Sequence, residues 1–127
     1  MELLLDTHVA LWWADDPAFL LPAAQSAIAD PTNVVWFSAA SAWELAIRTR
    51  AGKLALDVGH FVALSTRNGI RLLGIGVDDA IAAGSLDWSH RDPFDRMLVA
   101  QAQRQNCVLV TRDRAIAQFD GVQSIVG

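Results

Sequence analysis

Four acidic residues stand where a folded chain can gather charge. Asp6 directly follows Leu3-Leu4-Leu5. Glu44 closes the segment Ser-Ala-Ala-Ser-Ala-Trp-Glu, Asp95 lies in Asp-Pro-Phe-Asp-Arg, and Asp113 comes two residues after a run ending at Thr111. In open α/β sheets, ligands collect outside the carboxyl ends of the strands, where the strand order reverses. Asp6 and Asp113 end strand-like runs, and Glu44 and Asp95 lie near helix starts that face the same side. All four carboxylates can therefore converge. Packed together they repel, and their pKa values rise until one protonates, unless a cation lies between them. Magnesium takes oxygen ligands of this kind together with waters and substrate phosphate. Four acids with no His or Cys near them favour Mg2+ or Mn2+ over zinc. Such ions activate water and steady the attacking and leaving oxygens of a phosphodiester. The expected chemistry is hydrolysis of a phosphodiester bond.

Each acid also has a local explanation. Ser41-x-x-Glu44 fits a capping box, in which Glu reaches back to the N-cap amide. Asp92-Pro93 is a favourable N-cap followed by Pro at the first helical position, which makes Asp92 structural and leaves Asp95 in the first turn, favoured by the helix dipole. Asp113 can cap the turn that follows it. Asp6 alone has no evident local partner, and an acid at the end of an apolar strand is costly without one. What points to a site is the set, not any single member.

The elements that must position these acids read as follows. Leu3–Leu5, Val34–Phe37 and Val108–Val110 are continuous apolar runs, as expected of parallel strands covered on both faces. Arg71–Ile75, loosened by Gly74 and Gly76, and Val122–Val126 are weaker strand candidates. Helices are predicted over His8–Ala14, Pro22–Ala29, Ala39–Arg50, Val58–Arg67, Asp78–Ala83 and Pro93–Gln105, delimited by Pro, Gly and Asn signals. Strands alternating with helices give an α/β fold with a parallel sheet, in one domain spanning residues 1–127.

Composition narrows the possibilities. The 127 residues are 53% hydrophobic and 19% charged, enough for a real core in a single domain. Part of the apolar excess is expected at a surface that a partner covers, and the five tryptophans point the same way. Trp36, inside an apolar run, is expected to fill the core. No apolar run approaches the ~20 residues that span a bilayer, and Met-Glu-Leu-Leu-Leu-Asp lacks the positive start of a secretory signal. Cys107 is the single cysteine, expected as a small buried hydrophobe, and no intrachain disulfide can form. A reducing cytoplasm is the expected location. The formal charge of -4 has the wrong sign for bulk attraction of nucleic acid. Without the four candidate acids, however, that charge is zero, and the bases are bunched. Arg48, Arg50 and Lys53 follow Glu44; Arg91 and Arg96 flank Asp95; Arg112 and Arg114 flank Asp113. Local cations are sufficient for phosphate contacts. The three histidines, His8, His60 and His90, are expected at packing or surface positions and not as catalysts.

Taken in order, LLLDTHVALWW, SAASAWELAIR, HRDPFDRMLVAQA and LVTRDRAI resemble the PIN domain, and most closely the VapC toxins of bacterial toxin–antitoxin pairs. The resemblance covers nearly the whole chain in one register. It implies a five-stranded parallel sheet of order 3-2-1-4-5 sandwiched by helices, and metal-dependent RNA cleavage by four acids that correspond to Asp6, Glu44, Asp95 and Asp113. It places Thr7, Ser38 and Thr111 near the metal, orienting carboxylates or binding a metal-held water. Arg48, Lys53, His90, Arg91, Arg96 and Arg112 are then candidates for RNA contact. The resemblance further implies a homodimer and a VapB-like antitoxin whose C-terminal segment lies across a groove that includes Trp12 and Trp13.

Other classes fit less well. A phosphatase with Asp6 as nucleophile needs an acid two positions on, where His8 stands. A non-catalytic receiver-like interaction domain needs an acidic pair after the first strand and a late Lys, yet no Lys follows Lys53. A Toprim-type nuclease needs Asp-x-Asp, and Thr111-Arg112-Asp113 offers one acid. Which RNA is cut is a matter of pocket shape, not of a readable motif.

Overall fold

The computed structural model describes residues 1–127. Its strands are β1 (Glu2–Leu5), β2 (Val34–Ser38), β3 (Arg71–Leu73), β4 (Val108–Thr111) and β5 (Ser124–Val126). They form one sheet in the order β3-β2-β1-β4-β5, and every neighbouring pair is parallel. The sheet order implied by the family resemblance is the one observed. The helices are α1 (Thr7–Asp15), α2 (Pro22–Ala29), α3 (Ala39–Arg50), α4 (Val58–Arg67), α5 (Val77–Ser85), α6 (Pro93–Gln105) and α7 (Arg114–Ala117). Four of the six predicted helices have the predicted bounds, and α1 and α5 run one or two residues further at each end. A single 3-10 turn at Pro17–Phe19 and the one-turn α7 were not predicted.

β1 explains why its sequence shows no alternation. Leu3, Leu4 and Leu5 are all fully buried, because successive side chains enter opposite faces and both faces are covered. Leu3 and Leu5 pack with Val35, Phe37 and Val110 against Val9 of α1, Ala24 and Ile28 of α2, Leu45 of α3 and Phe61 of α4. Leu4 and Leu109 point the other way, onto Leu98, Val99 and Ala102 of α6 and Ile116 of α7. Cys107 lies in this second layer, buried as expected. Each fully buried Leu contributes about 2 kcal/mol of hydrophobic stabilisation.

One polar side chain ties the layers together. Gln101 of α6 is fully buried; its Oε1 accepts from the Ser38 hydroxyl at the end of β2, and its Nε2 donates to the Gly74 carbonyl after β3 at 3.1 Å. Buried amides need such partners. This triad fixes the start of α3 and the turn after β3 relative to α6.

Trp36 fills the core only in part, packing against the second layer with one rim left open. It is half-buried, its Nε1 donates to Glu2 Oε1 at 3.1 Å, and the Arg71 guanidinium lies 5.8 Å from its ring. Its strand neighbours, beside the edge strand β3, leave that ring a wet rim. Of the five tryptophans only Trp43 is largely exposed, at 60%. No helix is long and apolar enough to cross a membrane.

Candidate metal and active site

β1 and β4 are direct neighbours, so the acids that follow them meet. The Asp6 amide donates to Val110 O at 2.9 Å, which carries the β1–β4 ladder to the edge of the crevice. Asp6 also caps α1: its Oδ1 accepts from the Thr7 amide at 2.7 Å. Asp6 thus has the local partner that its sequence context did not reveal. Its second oxygen, Oδ2, receives the Thr111 hydroxyl at 2.7 Å, and the same hydroxyl accepts the Asp113 amide at 3.0 Å. Thr111 therefore sets the relative position of two acids at once.

Glu44 is held from a distance. Thr7 Oγ1 donates to Glu44 Oε1 at 2.7 Å and lies 2.9 Å from Ser41 Oγ. The capping-box explanation of Glu44 is wrong, because α3 begins at Ala39 with Ser38 as its cap, a turn before Ser41 could serve. Asp95 and Asp113 lie at the starts of α6 and α7. Asp113 Oδ1 accepts from the amides of Ala115 and Ile116, and Asp92 Oδ1 accepts from those of Phe94 and Asp95. Asp92 is the cap that Asp92-Pro93 predicted.

Asp6, Glu44, Asp92, Asp95 and Asp113 line one cavity of about 390 Å³, together with His8, Trp12 and Arg112. Its electrostatics follow from crowding and burial. Burial pushes the Asp6 carboxyl upward, against hydrogen bonds from Thr111 and Thr7 and the nearby His8, with Asp113 adding repulsion. Asp95 is pushed up to about 6, first by burial and then by Asp92, Asp6 and Asp113, with its hydrogen bond to His90 opposing. Five carboxylates face one guanidinium, that of Arg112, across this cavity, and a hard divalent cation would offset the imbalance with the oxygen donors present.

The structure corrects three expectations. His90 is neither a free surface residue nor remote from the acids, and the premise that no His lies near them fails. Its Nε2 is 2.8 Å from Asp95 Oδ2. Ser38 is bonded to Gln101 and to the Ala40 amide, not to any of the four acids, so it positions α3 and does not orient a carboxylate. Arg96 is not available for RNA. Its guanidinium donates to the carbonyls of Ala83, Trp88, His90, Leu86 and Gly84 at 2.7–3.4 Å and shapes the segment before α6.

The other candidate bases differ in how they are held. Arg112 lines the cavity with its guanidinium 4.7 Å over the Trp12 ring, donating to Gly127 O and Phe19 O. Arg48 Nη1 is 3.1 Å from Nε2 of His8, which lines the acid cavity and is not merely a packing or surface residue. Lys53 and Arg91 are exposed. Beside the acid cavity, sharing Trp12 as a wall, runs an apolar cleft lined by Leu11, Leu54, Leu56 and Phe61.

Fold and site together define a doubly wound parallel sheet bearing a carboxylate crevice suited to a divalent cation. The PIN domain model matches residues 3–122, and the chain belongs to that family. It is 38% identical over 119 residues to Ribonuclease VapC22 of Mycobacterium tuberculosis (strain ATCC 25618 / H37Rv), covering 89% of this chain and 88% of that protein. Among solved structures, VapBC2 from Rickettsia felis bound to a promoter DNA fragment matches with a TM-score of 0.72 at 13% identity, over 98% of both chains. DNA-bound VapBC from Salmonella typhimurium gives 0.70 at 16% identity, over 98% of this chain and 97% of that one. A toxin–antitoxin complex from Klebsiella pneumoniae gives 0.62 at 22%, over 94% and 93%. These structural likenesses speak to the fold.

Proposed function

We propose that this protein is a metal-dependent endoribonuclease, the toxin of a VapBC-type toxin–antitoxin pair, with Asp6, Glu44, Asp95 and Asp113 holding Mg2+ or Mn2+. The observation that carries the proposal is that these four carboxylates, drawn from four elements, line one cavity in which Asp95 is driven up to about 6. A bound divalent ion supplies Lewis acidity and a water of lowered pKa for attack on a phosphodiester. Thr111 and the Thr7 amide orient the two Asp6 oxygens, while the Thr7 hydroxyl orients Glu44. Carboxylates held by such partners keep their geometry when a substrate phosphate arrives. Arg112 brings positive charge to the cavity wall, and Arg48, Lys53 and Arg91 lie at exposed or half-exposed positions fit for phosphate contact. RNA as substrate is supported by the likeness to a protein named a ribonuclease.

A partner is supported by two apolar surfaces. The cleft of Leu11, Leu54, Leu56 and Phe61 meets the acid cavity at Trp12, so an antitoxin segment lying in it would end over the carboxylates. The solved relatives being toxin–antitoxin complexes fits this reading. Trp43, Ile75, Phe94 and Met97 line a second, mostly apolar hollow, suited to a homodimer. The cytoplasm is the proposed location.

The test is cleavage of total cellular RNA by purified protein with Mg2+ or Mn2+, with the ends mapped. Asp6→Asn should lower cleavage by at least about 100-fold with an unchanged circular dichroism spectrum. Equal cutting by the Asn variant removes the site assignment. Turnover of phosphomonoesters with RNA left intact points instead to a phosphatase.

A further inference from the structure

We infer that His90 supplies a nitrogen ligand to the divalent ion, beside Asp95 and Asp113, and tilts the site toward Mn2+ over Mg2+. This rests on the metal-site reading above. One ligand atom each from His90, Asp95 and Asp113 lies within 4.8 Å of the others. Ligands about 2.1 Å from an octahedral ion occupy adjacent corners about 3.0 Å apart. The His90 Nε2 to Asp95 Oδ2 separation is 2.8 Å, so the pair spans one such edge with little movement.

The imidazole is also built into place, unlike that of a surface histidine. Its ring stacks on Trp88 at 4.7 Å, and Trp88 stacks on Phe119 at 4.7 Å with 14° between planes. Phe119 fits against Gly121, where any Cβ would lie 2.5 Å from the ring. On the other side, Arg96 holds the His90 and Trp88 carbonyls at 3.0 and 2.7 Å. A three-ring ladder and a guanidinium clamp thus aim one nitrogen at the carboxylates. Mn2+ also favours carboxylate and water oxygens, but as a transition ion it accepts an imidazole nitrogen more readily than Mg2+, which holds to oxygen.

The experiment uses Mn2+ as both ligand and probe on the full chain. Pulsed electron paramagnetic resonance of the Mn2+-loaded protein should show 14N modulation from a directly bound nitrogen. His90→Ala and His90→Gln should both abolish it, while His8→Ala should leave it. Calorimetric titrations should show the Mn2+ to Mg2+ affinity ratio falling about tenfold in both His90 variants. The Gln variant, which offers an oxygen, should keep Mg2+ affinity within about threefold of wild type. Bound Mn2+ without 14N modulation, or modulation that survives in His90→Gln, overturns the inference and leaves the carboxylate site standing. A wild-type chain that binds no Mn2+ removes both.

Discussion

Replacing Asp95 with Asn should make the metal-free protein more stable, with a pH dependence that identifies the cause. Asp95 ionises near 3.8 in an unfolded chain and at about 6 in the folded one. Between those values the folded chain holds a proton that the unfolded chain has released, so stability falls as pH rises through the window. Below it both states are protonated and the penalty vanishes; above it the penalty is complete. About two pKa units at 1.36 kcal/mol each set an upper figure of about 3 kcal/mol. The side chain keeps 16% exposure, and solvent screening together with the lost attraction to the helix start reduces the net gain to about 1–2 kcal/mol. For a domain of this size that is roughly 4–8 °C in Tm. Urea unfolding in EDTA at pH 4, 5, 6 and 7.5 measures it. The Asn variant should match wild type near pH 4 and exceed it at pH 7.5. Saturating Mg2+ should reverse the order, since ion at 100 times its Kd stabilises only the competent chain, by about 2.7 kcal/mol. A variant no more stable than wild type at pH 7.5, or one whose gain is the same at pH 4, refutes the reasoning.

Three further outcomes are expected. Thr111→Val removes the proton donated to Asp6 and the acceptor of the Asp113 amide; calorimetry should show metal affinity 10- to 100-fold weaker, on the order usual for orienting partners, and unchanged affinity would discount Thr111. Arg96→Ala should cost about 2 kcal/mol or more and speed amide exchange in residues 84–91 while β1 and β4 stay protected. Arg96→Lys should not rescue it, because one ammonium cannot reach five carbonyls; full rescue would show that charge alone suffices. Gln101→Leu nearly conserves volume but strands the Gly74 carbonyl, and urea unfolding should show a loss of about 2 kcal/mol, with a neutral result excluding the buried triad as a source of stability.

The central strands were legible because burial on both faces erases alternation, and Leu3–Leu5 and Val108–Val110 read as unbroken apolar runs. The edges were less so. β3 stops at Leu73 and β5 starts only at Ser124, since a strand with one neighbour pairs over fewer residues. α7 is one turn long, too short for any period, and only its cap, Asp113, was visible. Local pattern also misled at Ser41-x-x-Glu44, where the real helix start lies three residues earlier and Glu44 answers to Thr7, 37 residues away. Arg96 adjoins Asp95 in sequence and so reads as its companion. Consecutive helical residues project about 100° apart, which turns Asp95 into the crevice and Arg96 onto the preceding loop. His90 has Trp88 two residues before it and Asp95 five after, but no periodicity shows that the first stacks on its ring and the second receives its nitrogen. The ring ladder that aims it runs through Phe119, far along the chain.

The first strand to be made waits for a neighbour made about a hundred residues later. β1 sits at the middle of the sheet, and the bond between Thr111 and Asp6 spans 105 positions. A ribosome must add more than a hundred residues after Asp6 before that side chain meets Thr111 or Asp113. Long-range closure of this kind folds slowly. A copy that has not yet reached Thr111 and Asp113 therefore lacks one wall of the crevice and the hydroxyl that holds Asp6.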